Sequence, residues 1–294
     1  GGSSLEKPSA AQCWLAAQFM DPSQSQYIRS IIDRVLRDDK SPSFSPLTLL
    51  WLPAAPSGVP VPPISAAYHG EQAVATFRTG WDSEDAFIAI KGGTPAASHG
   101  HMDVGSFIYD VHGLRWIHDL GKENYNLPGY FGAKRWTYFR LQNRSHNTLE
   151  INGQLQNAES KPCPLVSSTL TGNPFAATFD LSTAYSDSAE KVTRSVRFDS
   201  RSGAATLQDE ISHPKGPVVW RAFTDAEAEI KGDQVILRKN GKHITLKRLS
   251  DTGVWTVTDA KPPTAEENQN LEYRAVVLTI PQADQVTATV EIQP

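Results

Sequence analysis

Apolar residues recur along this chain with two different periods, and the change of period divides it. From Ala10 to Met20 (Ala10, Ala11, Trp14, Leu15, Ala16, Ala17, Phe19) and from Ser23 to Leu36 (Tyr27, Ile28, Ile31, Ile32, Val35, Leu36) the spacing is three and four, which gathers them on one helix face. Asp21-Pro22-Ser23 supplies a break and a cap, so this end predicts a short helix pair. Farther on, alternation replaces helical spacing. It predicts strands over Ala73–Arg78, Ala86–Lys91, Phe107–Val111, Leu114–Asp119, Thr148–Ile151 and Ser167–Thr171. Further strands are expected over Lys191–Phe198, Ala204–Ile211, Val218–Phe223, Gln234–Arg238, His243–Leu249 and Tyr273–Thr279. Asn152-Gly153 and Asn240-Gly241 favour type I′ hairpins because both central residues tolerate positive φ, and His112-Gly113 offers a third tight connection.

Between the two regimes prolines crowd the chain (Pro42, Pro46, Pro53, Pro56, Pro60, Pro62, Pro63), which suits an extended linker. The resulting division is a helical segment over 1–40, a Pro-rich linker over 41–66 and an antiparallel β-sandwich over 67–294. So many consecutive strands without intervening helices make the fold class mainly β, a large sandwich rather than an α/β enzyme.

Composition narrows the functional classes. With 294 residues, 39% apolar and 20% charged, the chain can bury a real core. A net charge of -4 and a pI near 6.1 give no signature of nucleic-acid or anionic-membrane binding. No apolar run approaches the roughly 18 residues needed to span a bilayer. Cys13 and Cys163 are the two cysteines, too far apart and too few for a disulfide framework or a thiolate zinc site, so a metal here would take nitrogen and oxygen ligands.

The chemistry concentrates in one window. Ser98-His99-Gly100-His101-Met102-Asp103, Trp116-Ile117-His118-Asp119 and Asn143-Arg144-Ser145-His146-Asn147-Thr148 bring four of the eight histidines into about fifty residues. Drawn as an extended strand, His99, His101 and Asp103 would point the same way, with Asp119 at the end of one strand and His146 opening another. Two histidines and a carboxylate from separate segments suit Zn²⁺ or Fe²⁺. His69, His112, His213 and His243 sit near turns and read as solvated side chains.

On Lys91-Gly92-Gly93, Ser98 through Phe107, Trp116 through Gly121 with Tyr125, and Ser145-His146-Asn147-Thr148-Leu149, the chain resembles the C-terminal part of the heparinase II/III-like polysaccharide lyases. The resemblance implies a sandwich of the supersandwich type, preceded by helices similar to the last ones of an α/α toroid. It further implies that His99 acts on the substrate, and that His101, Asp119 and His146 hold Zn²⁺ while Asp103 supports them. Tyr138 and Tyr130 become candidate acids, and Arg135, Arg140 and Arg144 candidate holders of carboxylate or sulfate groups.

The implied reaction is β-elimination on a uronic acid of an acidic polysaccharide, in a periplasmic or secreted protein, with an N-terminal α/α toroid as the partner that completes the cleft. Two other readings compete. One is a non-haem iron oxygenase using His101, Asp103 and His146. The other is a non-catalytic carbohydrate-binding or structural sandwich in which the metal only pins strands.

Overall fold

The computed structural model describes residues 10, 11, 13, 14, 29, 46–51 and 62–294. The helix pair expected over residues 10–36 therefore lies largely outside the described residues. The chain divides into two compact units, Gly1–Pro63 and Ile64–Pro294. In the first, the Pro-rich stretch is not extended throughout, because Pro46–Leu50 forms a single helical turn, α1.

The second unit is built from seventeen antiparallel strands in three sheets. The first sheet is a meander of β1 (Ser65–Tyr68), β2 (Val74–Arg78), β3 (Phe87–Lys91), β4 (Phe107–Val111) and β5 (Leu114–Ile117). The second has four strands in the order β15-β16-β11-β6, where β6 is Leu149–Ile151, β11 Val218–Thr224, β15 Val254–Asp259 and β16 Arg274–Ile280. The third has eight, in the order β12-β13-β14-β17-β10-β9-β8-β7. Its members are β7 (Leu165–Thr169), β8 (Phe175–Asp180), β9 (Lys191–Phe198), β10 (Ala205–Ser212), β12 (Glu227–Lys231), β13 (Gln234–Lys239), β14 (Lys242–Arg248) and β17 (Gln285–Gln293).

Alternation explains why these segments are strands with one wet face. In β9, Val192, Val196 and Phe198 are fully buried while Lys191 and Arg197 are exposed. Side chains of all three sheets meet in one core, where Phe77 packs on Phe175 and Phe198 and Phe107 packs on Trp220. An isolated antiparallel bridge between His118 and Phe223 joins the end of β5 to β11, so the five- and four-stranded sheets run almost into one another. The site lies at this seam.

Five strands lack a counterpart among those expected from alternation: β1, β8, β12, β15 and β17. β8 carries two alanines and β12 and β15 are largely exposed, so their apolar signal is weak. β17 alternates clearly and pairs with both β10 and β14. The hairpins follow their turn residues: His112-Gly113 (φ 58° and 72°) links β4 to β5, and Asn240-Gly241 (φ 50° and 74°) links β13 to β14.

One ion pair breaks the apolar rule. Arg194 and Asp209 are directly cross-strand on β9 and β10, both fully buried at positions whose neighbours on the same face are Val192, Val196, Leu207 and Ile211. The guanidinium donates from Nε and Nη2 to the two carboxylate oxygens at 2.6 and 2.9 Å, and Nη1 donates to the carbonyls of Gly105 and Asn147 at 2.6 and 2.9 Å. Removing one partner strands a charge out of water. Arg194→Met or Asp209→Ala is therefore expected to lower stability by about 3–5 kcal/mol. In urea titrations, Arg194→Met combined with Asp209→Leu should recover part of that loss, but not all, since two carbonyls still lack their donor.

Candidate functional site

Three irregular segments converge at the seam, and long-range hydrogen bonds give each its shape. The first, residues 92–106, is a chain of turns, not the extended strand expected for His99 to Asp103. His99 has φ 58°, in the left-handed region, and Gly100 donates its N–H to Ala97 O at 2.8 Å, so His99 and His101 do not share a strand face. The loop is held from outside by Met102 N–H donating to Leu141 O at 3.0 Å, Arg135 Nη2 donating to Gly100 O at 2.6 Å, and Gln156, which both accepts from Val104 N and donates to Val104 O. A local period of two cannot foresee such partners.

The second segment begins where β5 ends. Asp119 accepts from Gly121 N at 2.8 Å through one carboxylate oxygen, and through the other from Ser106 Oγ at 3.1 Å. That second oxygen also meets His146 Nδ1 at 2.8 Å. The third segment, Ser145 to Thr148, sends successive side chains to different duties. His146, fully buried, points at Asp119, while Asn147 donates from Nδ2 to Phe107 O and His118 O and accepts from Phe223 N. Thr148 Oγ1 donates to Val104 O at 2.6 Å. Asn147 thus straps β4, the end of β5 and β11 together beneath the histidine.

The His101 ring lies 5.4 Å from the His146 ring, centre to centre, and His146 Nε2 is buried with no hydrogen-bond partner. Burial alone would push His146 down, but the charge and hydrogen bond of Asp119 outweigh it, and its pKa lies above the ordinary value. Asp119 is the mirror case: burial works to raise it, His146 prevails, and it stays ionised well below the usual carboxylate range. Burial, followed by the nearby His146, lowers His101 to about 4. Lys91 Nζ pairs with Asp103 at 2.6 Å, so Asp103 supports the loop through a lysine. Beside these groups is an open depression of about 290 Å³ lined by Ala89, Lys91, Asp103, Ser106, Ile108 and Asp119, among others.

The expected tyrosines and arginines occupy residues 122–144, largely outside regular strands. Tyr130 and Tyr138 are buried in a small cluster with Leu127 and Leu141. Tyr138 donates its hydroxyl to Pro128 O at 2.5 Å, whereas the Tyr130 hydroxyl is buried without a partner. Arg140 is buried against Asn270 Oδ1 and the Lys122 carbonyl, and Arg144 pairs with Glu150 and Gly153 O. Of the three arginines, Arg135 lies at the histidine loop, its guanidinium 5.1 Å from the Tyr130 ring centre. Ser106, Lys91 and Arg194 were not foreseen as site residues. The signal for Arg194 was its charge at an inward position of an alternating run.

The sequence model of the heparinase II/III-like, C-terminal family matches residues 74–288, which includes all three segments. The chain belongs to this family. Among solved structures, this heparinase II/III-like domain is similar to the heparan sulfate lyase HepC from Pedobacter heparinus, with a TM-score of 0.66 and 16% identity over 94% of this chain and 42% of that one. It is also similar to a heparinase III, with a TM-score of 0.67 and 16% identity over 93% of this chain and 42% of that one. At such identities the likeness is one of fold, and the chain spans about 42% of the length of these relatives. A search of curated protein sequences gives no match.

Among the described residues, no three or more His, Cys, Asp or Glu side chains are disposed as a group to hold a metal ion. The donor chemistry nevertheless suits one: two imidazoles and a carboxylate in contact, with one buried imidazole nitrogen unpartnered.

The depressed His101 has a measurable consequence in the metal-free chain. Its folded form stays neutral down to about pH 4, while the unfolded form, near 6.5, takes up a proton. Unfolding is therefore favoured as pH falls through that window. His146 acts in the opposite sense, its contribution being complete below its unfolded pKa and fading as pH rises through the raised folded value. Urea midpoints taken in a chelator should drop between about pH 6.5 and 4, and His101→Asn should flatten that drop.

Proposed function

We propose that this domain forms one wall of the active cleft of a polysaccharide lyase, which cleaves a uronic-acid-containing glycan of the heparan sulfate or alginate type by β-elimination. The observation that carries the reading is the Asp119–His146 pair, in which His146 is buried with Nε2 unpartnered and its ring 5.4 Å from that of His101, on a loop whose His99 is exposed. It lies within the segment matched to the heparinase II/III-like family.

The reaction removes the C5 proton of the uronate and breaks the C4–O4 bond, so the neighbouring carboxylate must be neutralised while a base and an acid stand close. His99, exposed and outside the Asp119–His146 pair, takes the proton or neutralises the carboxylate. Tyr130 is a better candidate acid than Tyr138, since its hydroxyl is not held by a backbone carbonyl as that of Tyr138 is; burial raises its pKa, and the Arg135 charge offsets part of that rise. Arg135, which donates to Gly100 O, stands at the histidine loop and so is the arginine placed to meet an acidic group beside His99, whereas Arg140 and Arg144 are bound to partners away from that loop.

His101 and His146 would hold zinc, with Asp119 as the third ligand or as the carboxylate that orients His146 through Nδ1. The ion would supply a fixed positive charge that stiffens the loop beneath His99. Asp103, paired with Lys91, argues against an oxygenase triad built on it. No described helix is long and apolar enough to cross a membrane, and a periplasmic or secreted location is inferred from the glycan substrate.

An α/α toroid supplies the opposite wall in this reading, so the isolated domain should be folded but weakly active or inactive. Heparan sulfate, alginate and chondroitin offered to the domain alone and to a toroid-bearing protein, with ultraviolet detection of the unsaturated uronate, separate the cases. Robust turnover by the domain alone would overturn the two-wall reading, and glycan binding without product in the toroid-bearing protein would favour a binding module. In the active form, His99→Ala is expected to lower kcat by about 10²- to 10⁴-fold. Zinc titrations should give affinities about 10- to 100-fold weaker, or no binding, for His146→Ala and Asp119→Ala. Asp103→Ala should bind as the parent does.

A further inference from the structure

Next to His99 two aromatic rings stand in solvent: Tyr125 is 42% exposed and Phe131 63%. They meet edge to face at 5.2 Å, and the His99 ring rests on both, stacked on Tyr125 at 6.1 Å and edge-on to Phe131 at 5.9 Å. Burial accounts for neither ring, although withdrawing apolar surface from water is favourable. Their neighbours Asn124, Asn126, Gly132 and Lys134 are exposed and mostly small or polar, so the apolar patch ends at the two rings. A face meant for another protein domain would be broader.

The loop that carries them is ordered by its own contacts. Leu127, Tyr130, Tyr138 and Leu141 form a cluster beneath it. The buried Glu123 accepts from Asn124 N at 2.7 Å and from Asn268 N at 3.0 Å, which anchors the loop entrance to residues 264–270. The rings are thus held in place before any ligand arrives, at little entropic cost on binding. Cations flank them: Lys122 Nζ is 5.5 Å from the Tyr125 ring centre, and Arg135 lies on Tyr130, whose ring touches both Tyr125 and Phe131.

We propose that Tyr125 and Phe131 form a stacking subsite for one pyranose ring of an acidic oligosaccharide, next to the residue at His99, with Lys122 available to its carboxylate or sulfate. The axial C–H face of a pyranose is apolar and slightly positive at hydrogen, matching the negative face of an aromatic ring, while its acidic substituent requires a cation at the rim. The same two rings orient His99, so the subsite couples sugar binding to the position of that imidazole. This assignment rests on the lyase reading for the identity of the ligand, but it can be tested by binding alone.

Calorimetry with a heparan sulfate hexasaccharide and an alginate hexasaccharide, on the toroid-bearing protein, provides the test. Tyr125→Leu and Phe131→Leu keep apolar volume but remove the ring, and each should weaken binding about tenfold. Tyr125→Phe and Phe131→Tyr should bind within about twofold of the parent. If the leucine variants bind both probes like the parent, or change only the melting temperature or the attachment of the toroid, the rings are a structural contact and the subsite is wrong. Absence of binding by the parent to either probe would also overturn it. A glycan bound through these rings but never cleaved would sink the elimination reading and leave the subsite standing. Normal lyase turnover with KM unchanged in the leucine variants would do the reverse.

Discussion

Two opposite charges at the centre of the sandwich organise everything above them. Arg194 and Asp209 lie in the interior of the eight-stranded sheet, where an unpaired charge would cost several kcal/mol, so each must satisfy the other. Asp209 occupies two of the guanidinium nitrogens. The third reaches out of the sheet to the carbonyls of Gly105 and Asn147, one from the histidine loop and one from the Ser-His-Asn-Thr segment. A planar, always-charged group with rigid donor geometry can span three segments in this way, and a lysine could not. The ion pair therefore positions the two loops that carry His101 and His146.

From there the order passes outward through uncharged groups. Asn147 closes the seam between the five- and four-stranded sheets by bonding to Phe107, His118 and Phe223. Ser106 donates to Asp119 and accepts from the Asn147 N–H, so the strap and the acid are linked. Asp119 in turn sets His146 through Nδ1 and leaves Nε2 free. Ser106, His146 and Asn147 are buried and Asp119 is half-buried, and such chains hold their members more rigidly than single surface bonds do. The long segment between Asp119 and His146 follows the same logic, with Glu123 accepting from Asn268 N, Phe139 N donating to Glu267 and Arg140 donating to Asn270 Oδ1, all on the neighbouring loop at residues 264–270.

Much of this is legible in the amino-acid sequence. The period-two runs locate most strands, Asn240-Gly241 and His112-Gly113 locate hairpins while Asn152-Gly153 closes only a tight turn between Ile151 and Gln154, and the shared motif order around His99, Asp119 and His146 points to the candidate site. Strands such as β12 and β15 escaped notice because an exposed edge carries little apolar signal. Arg194 and Asp209 broke an otherwise apolar parity, a sign of a buried pair that could have been read from each strand but not joined across two of them.

The amino-acid sequence by itself determined the β architecture and the kinds of groups at the site, because side-chain alternation and turn preference are local properties of the backbone. Tertiary structure alone decided how those groups meet. The left-handed His99, the turn rather than strand between His99 and Asp103, the pairing of Asp103 with Lys91, and the exposed rings of Tyr125 and Phe131 all depend on partners distant in the chain or on which surface the fold leaves uncovered. Hydrogen bonds of that range pay no heed to sequence periodicity, and they fix the geometry of the candidate site.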